Sequence, residues 1–213
     1  MLPSSVIYYA LPRLQEVIAD RVVKSGEFTS LKYICGIDVS YKGDRAFGTA
    51  VVMDSTSFDT IEVAESVTPI KFPYIPGAFI LREAGPILLT MRLLTCDFDV
   101  LLLDGHGMLH PRKCGLASFV GVLIDKPTIG IAKKLLCGEV NSEYFVEIDR
   151  IICGYMHVSA LNKRIYISVG NRISLRDSIK LVRKLTREGQ SIPEPLRLAD
   201  LYSKYHCKLF FRN

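Results

Sequence analysis

An unbroken apolar run, Val100-Leu101-Leu102-Leu103, stops on Asp104-Gly105-His106-Gly107-Met108-Leu109-His110-Pro111-Arg112. A run this short, with no polar alternation, is the pattern of a strand buried on both faces, and such a strand needs cover on each side of its sheet. A carboxylate at the end of a buried strand is costly unless something pairs with it or a ligand needs it. In open α/β sheets the crevice beyond the carboxyl ends of the strands is where ligands sit. Gly105 and Gly107 leave backbone open to a flat or anionic group, and His110 and Arg112 add protonatable and positive groups. A lone Asp-Gly is more often only a turn. The rest of the chain decides.

Residues 11–24 place Leu11, Leu14, Val17, Ile18 and Val22 near helical spacing, with charged residues between them, so an amphipathic helix is expected, ended by Gly26 and the Thr29-Ser30 pair. Residues 33–39, 47–53 and 60–67 read as three strands. Gly43-Asp44 marks a tight turn between the first two, so the sheet begins as an antiparallel meander. After an irregular Pro- and aromatic-rich stretch, 69–76, residues 78–94 are helical in composition, with Gly85-Pro86 expected to kink or split the helix. Strand 100–103, a helix over 115–123 and a buried strand over 127–132 make a βαβ pattern, which continues the sheet in parallel. Further strands are expected at 143–148 and 164–169. Residues 174–187 form the clearest helix, N-capped by Ser174, and a last helix carries Asp200.

The 213 residues, 49% of them hydrophobic, are enough for one sizeable core, and a single domain over 1–213 is expected. A net charge of +5 permits a polyanionic partner without requiring one. Six scattered cysteines without a Cys-x-x-Cys pair read as thiols of a reducing compartment, not as a zinc site or a disulfide framework. With no targeting segment or membrane-length apolar run apparent, a cytoplasmic protein is expected.

Four acids stand where acids are expensive: Asp38 within a strand, Glu83 in a mostly apolar helix, Asp104 at a strand tip and Asp200 in the last helix. Each alone has an ordinary structural explanation. If the strands of Asp38 and Asp104 are neighbours, however, two carboxylates converge and repel unless a cation sits with them. Oxygen donors without a Cys/His cluster favour Mg²⁺, or Mn²⁺ in its place, over zinc. Such an ion, held by one or two carboxylates, suits phosphoryl chemistry.

Taken together these residues resemble the endonuclease V family of repair nucleases, which act at deoxyinosine. The likeness runs through Gly36-Ile37-Asp38-Val39-Ser40-Tyr41, then Tyr74-Ile75-Pro76-Gly77 with Leu81-Arg82-Glu83, the Asp104 segment through Ser118, Pro127 to Lys133, Ile167 to Leu175, and Pro193 to Asp200. The resemblance implies an α/β, ribonuclease H-like fold: a mixed five-stranded sheet, its first three strands antiparallel and the rest parallel, flanked by helices. It implies that Asp38 and Asp104 hold Mg²⁺, that Glu83 and Lys133 join them in catalysis, and that Asp200 is an accessory acid. It assigns Tyr74, Ile75 and Pro76 to a wedge that enters the base stack, and Gly77, Gly105, Gly107, His110 and Gly115 to the base pocket or to phosphate. The implied reaction is hydrolysis of the second phosphodiester 3′ to deoxyinosine in DNA, leaving 3′-hydroxyl and 5′-phosphate. The expected assembly is a monomer.

Two positions depart from the family. Most members carry His where this chain has Phe119 and Asn171, which bears on the base pocket and phosphate contacts near them. An inosine-specific ribonuclease, a structure-specific nuclease of the wider ribonuclease H-like group, and a non-catalytic nucleic-acid-binding protein are the alternatives. The basic helix 174–187 either meets duplex backbone or is a solvated face, the second being the commoner case.

Overall fold

The turn at Gly43-Asp44 sets the first half of the sheet. In the computed structural model, which describes residues 4–26, 31–75 and 78–211, Gly43 takes φ = 58°, a conformation glycine enters without steric cost. Strand β1 (Tyr33–Lys42) therefore folds straight back on β2 (Arg45–Asp54), with Lys42 opposite Arg45. Strand β3 (Thr60–Pro69) continues the meander antiparallel to β2. On the other side of β1 lies β4 (Val100–Asp104), parallel to it, and β5 (Thr128–Ala132) runs parallel to β4. This is the ribonuclease H-like mixed sheet expected from the sequence.

The resemblance implied five strands and the residue pattern seven, whereas the described residues form nine. Past β5 the sheet turns antiparallel again through β9 (Arg164–Asn171), β8 (Ile151–Val158), β7 (Phe145–Ile148) and the two-residue β6 (Glu139–Val140), in the order β3-β2-β1-β4-β5-β9-β8-β7-β6. Strand β8 is not among the expected strands, and it carries Gly154 in its middle. A Cβ there would meet the Ile167 carbonyl oxygen at 2.9 Å and Leu109 at 3.0 Å, so glycine is what allows the close approach.

Helices cover both faces. Helices α2 (Phe79–Met91) and α3 (Leu116–Ile124) pack Ile80, Ala84, Ile87, Leu116, Ala117 and Val120 against Cys35, Ile37, Leu101 and Leu103. On the other face α4 (Leu175–Leu185) and α5 (Glu194–Phe210) bring Leu181, Val182, Leu185 and Leu196 onto Ile34, Leu102, Ile129 and Ile167. Leu101, Leu102 and Leu103 are wholly buried, as a strand covered on both sides requires. No helix among the described residues is long and apolar enough to cross a membrane.

Two helix expectations change. The first helix, α1, spans Ser4–Ala19 and not 11–24, and Thr29 and Ser30 lie outside the described residues. Its inward stripe is Leu11, Gln15 and Ile18, while Leu14 and Val17 face solvent. Pro86 does not split α2. The bond its missing N–H would have given to the Arg82 carbonyl is replaced by the Tyr41 hydroxyl, which donates to that carbonyl at 3.3 Å. The basic residues in and just after α4 are exposed, as a solvated face is, and three of them also meet neighbours. Arg183 donates to the Tyr155 hydroxyl at 2.8 Å, Lys184 reaches Ser55, and Arg187 lies over the Phe58 ring and near Glu194.

One glycine fixes how α5 meets the sheet. A Cβ on Gly36 would fall 2.3 Å from the Pro195 carbonyl carbon and 2.5 Å from the Leu196 nitrogen, both backbone atoms that no side-chain rotation can clear. Gly36→Ala is expected to destabilise the protein by about 1–3 kcal/mol or more, seen as a lower urea midpoint, because α5 must lift off β1.

Candidate active site

The register of β1 and β4 builds the site. Ile34 pairs with Val100 and Ile37 with Leu103 in parallel, so the next residues, Asp38 within β1 and Asp104 at the end of β4, lie side by side where the parallel pairing stops. Alternation puts both on the face covered by α5, the same face as Ile34 and Leu102. Helix α5 adds Asp200 and, one turn later, Ser203. Glu83 comes from α2 on the opposite face and is itself buried. Elements far apart in the chain thus bring Asp38, Glu83, Asp104 and Asp200 to one end of the sheet.

Each acid is managed differently. Asp38 accepts a hydrogen bond from the Ser203 hydroxyl at 2.8 Å. Burial pushes its carboxyl up, the Ser203 bond opposes this, and the charges of Asp104 and Asp200 push the same way as burial. Glu83 is pushed up to about 8, chiefly by burial and then by the Asp38 charge, with the Tyr41 hydroxyl working against them. Burial and the Glu83 charge in turn raise the Tyr41 hydroxyl. Asp104 pairs with the Lys133 ammonium at 2.7 Å. Partial burial works against the Lys133 charge, but its hydrogen bond to Asp104 and the nearby acids outweigh that and hold it above the ordinary lysine value. Asp200 pairs with Lys204 at 2.6 Å.

Among the described residues no three His, Cys, Asp or Glu side chains are grouped so as to enclose an ion by themselves. The donor set nevertheless fits Mg²⁺, which is commonly held by one or two carboxylates with water and substrate phosphate completing its shell. A positive charge is already accommodated here, since Lys133 provides one to Asp104. The residues that could hold an ion are Asp38 and Asp104.

Beside the acids opens a cavity of about 530 Å³, lined on one side by Gly105, His106, His110, Gly115 and Lys133 and on the other by Tyr74, Phe79, Ile80, Leu135 and Leu136. Tyr74 is 64% exposed at its rim and meets the Phe79 ring edge to face. Ile75 is half-buried, whereas Pro76 and Gly77 lie outside the described residues. Gly105 adopts φ = 156° next to Leu116. Gly107 is not among the lining residues. A Cβ there would meet the Val169 carbonyl oxygen at 2.0 Å, so its glycine serves the packing of this turn on β9. Gly115 is likewise pressed against the His106 carbonyl while still bordering the cavity.

The two histidines are polar groups in a mostly apolar wall. Burial, followed by the charges of Arg112 and His106, lowers His110 to about 4, so its ring is neutral at pH 7. Its Nδ1 accepts from the Arg112 backbone N–H at 3.2 Å, which leaves the proton on Nε2. His106 is also lowered by burial, and its Nε2 meets the Lys134 carbonyl at 3.0 Å. Gln15, fully buried, accepts from Arg112 Nε at 2.7 Å and donates to the Cys114 carbonyl at 2.9 Å, tying α1 to this loop.

Sequence reasoning passed over Ser203, Gln15 and His106. Two of them left a trace: Ser203 follows Asp200 by one helical turn, and Gln15 interrupts the Leu11–Ile18 stripe. Phe119 and Asn171 lie away from the cavity. Asn171, paired with Thr128 at the opposite end of β5, accepts from the Val23 N–H and donates to the Gly121 carbonyl, both at 3.0 Å. Phe119 packs its ring against the α2–α3 core. Neither change alters the cavity wall.

A mixed sheet with paired carboxylates on its two central parallel strands, beside a cavity sized for a planar group, defines an α/β nuclease of the ribonuclease H-like class. The sequence model described as Endonuclease V matches residues 16–201. The chain therefore belongs to the endonuclease V family, whose members are nucleases acting on phosphodiester bonds. It is 38% identical to the endonuclease V of Thermofilum pendens, over 97% of this chain and 92% of that protein. The crystal structure of Bacillus subtilis endonuclease V superposes with a TM-score of 0.86 at 27% identity, covering 95% of this chain and 93% of the other. Ciona intestinalis endonuclease V, solved in complex with a 24mer DNA containing an inosine followed by a ribo-adenosine, gives 0.85 at 25% identity, covering 98% of this chain and 100% of the other.

The raised Glu83 carboxyl has a measurable consequence. The folded state keeps the Glu83 proton up to about pH 8, whereas the unfolded chain releases it near the ordinary value of 4.5. Between those limits the folded state binds more protons, so stability falls as pH rises. Glu83→Gln is expected to raise the melting temperature of metal-free protein at pH 8 by several degrees (about 2–4 °C per kcal/mol for a chain this size) and to gain little at pH 4.5. Differential scanning calorimetry at the two pH values checks this.

Proposed function

We propose that this chain is a Mg²⁺-dependent DNA repair endonuclease that hydrolyses the second phosphodiester 3′ to deoxyinosine, leaving a 3′-hydroxyl and a 5′-phosphate. The observation that carries the reading is the β1–β4 register, which sets Asp38 beside Asp104 next to the cavity. Asp38 and Asp104 would hold the ion, with Mn²⁺ able to replace it. Mg²⁺ bound there neutralises charge on the phosphate and makes a bound water more acidic.

The chain's own residues supply the rest. Glu83, whose carboxyl is raised to about 8, accepts a proton from the attacking water in its ionised form, a fraction that grows as pH approaches that value. Lys133, half-exposed at the rim, moves its ammonium from Asp104 to a phosphate oxygen of the bound strand. Asp200 acts as the accessory acid and adds negative charge beside Asp38. The exposed Tyr74 ring, with Ile75 and Pro76, enters the base stack and holds the strands apart. Hypoxanthine pairs weakly, so turning it out of the duplex costs less than for an ordinary base, and the cavity receives it. Backbone at Gly105 and Gly115, with His110 Nε2–H, meets its polar edge, and Gly77 joins the base pocket as the resemblance implies. The reading includes one catalytic set per monomer, in a single domain acting in the cytoplasm. The Ciona neighbour held on inosine-containing DNA supports the choice of substrate.

A labelled duplex carrying one deoxyinosine is expected to be nicked in Mg²⁺ and left intact in chelator. Asp38→Asn and Asp104→Asn should each slow nicking by about 100-fold or more. A matched duplex containing inosine on an RNA strand distinguishes the ribonuclease alternative, which would cut only the RNA. Binding without cutting in either ion would overturn the enzymatic reading.

A further inference from the structure

Ser203 is wholly buried, on the α5 face that lies over β1, and its hydroxyl has an unusual set of neighbours. Asp38 Oδ2 is 2.8 Å away, Ser40 Oγ is 2.7 Å away, and the Asp200 carbonyl oxygen is 3.1 Å away. The hydroxyl has one proton to give. An ionised carboxylate is a stronger acceptor than a carbonyl one helical turn back, so the proton goes to Asp38. Ser203 Oγ is then an acceptor towards Ser40, whose own proton must point at it. The result is a one-way chain, Ser40 to Ser203 to Asp38, in which each donor polarises the next.

The chain bears on the geometry of the carboxylate. The terminal torsion of an aspartate is broad and soft, so an untethered carboxylate turns freely about its last bond. Here Oδ2 is tied to α5, and among the described residues nothing else hydrogen-bonds the carboxylate, which leaves Oδ1 as its uncommitted oxygen. We infer that Ser203, oriented by Ser40, is a positioning residue that fixes the Asp38 carboxylate so that its free oxygen is presented for divalent-ion binding. The inference rests on the proposed metal role of Asp38. Outer partners of this kind orient the ligand, and their loss commonly weakens metal affinity 10- to 100-fold.

The test measures Mn²⁺ binding to DNA-free protein by titration calorimetry, the Mg²⁺ dependence of nicking, and affinity for deoxyinosine duplex in chelator. Ser203→Ala is expected to weaken Mn²⁺ binding by about 10-fold or more and to raise the half-saturating Mg²⁺ to match. Nicking at saturating Mg²⁺ should return to within a few-fold of wild type, and duplex affinity in chelator should not move. Ser203→Cys, close in volume but a weak donor, should reproduce the metal defect with the fold intact. Ser40→Ala should show a smaller shift in the same direction. Ser178→Ala, which removes a buried serine in α4, should leave Mn²⁺ binding unchanged. Wild-type Mn²⁺ affinity in both Ser203 variants, or an equal loss in Ser178→Ala, overturns the inference. Failure of the wild-type protein to bind Mn²⁺ overturns the metal reading itself.

Discussion

Two adjacent parallel strands that each carry an aspartate where their pairing stops create a repulsion, and much of the surrounding structure contains it. Side by side and partly buried, ionised carboxylates interact at a dielectric far below that of water. Lys133 sits on Asp104, Lys204 on Asp200, and the Ser203 hydroxyl on Asp38. Glu83 is kept largely protonated by burial, which removes one charge from the group. A purely structural sheet would place apolar residues here, and the proposed reaction would account for four acids gathered at one place.

The halves of the sheet differ in purpose. From β3 to β5 it carries the acids, and its crossovers set their register. From β9 to β6 it is an antiparallel extension whose closest contribution to the site is the Val169 carbonyl, against which Gly107 packs. That contact is indirect but firm: the turn after Asp104 is held by Met108 N–H on the Val169 carbonyl at 2.7 Å and by Gly107 N–H on Ser168 Oγ at 2.8 Å. The Asp104 turn is thus clamped between β5 and β9, and its backbone has little freedom to respond to a ligand.

Much of this was legible in the sequence, for reasons that can be named. The apolar run ending at Asp104, the Gly43-Asp44 turn and the Ser174 cap each carry local chemistry that fixes local geometry, and the motif likeness supplied the acids. What stayed hidden depended on distant contacts. Strand β8 went unassigned, and its Gly154 is explained only by the Leu109 side chain and the Ile167 carbonyl, which exclude a Cβ and come from other elements. Pro86 looked like a break because its compensating donor, Tyr41, lies on β1. Ser203 is an ordinary helix serine until α5 is laid on the sheet. Asn171 looked like a change in the binding site until β9 carried it to the far end.

The packing of α5 on Gly36 also sets an order of events. Every strand precedes residue 194 in the chain, so during synthesis the sheet emerges before the helix that brings Asp200 and Ser203. A nascent chain can pair β1 with β4 while its acid cluster is still open, and the centre closes only when the late helix seats on a surface that glycine keeps bare.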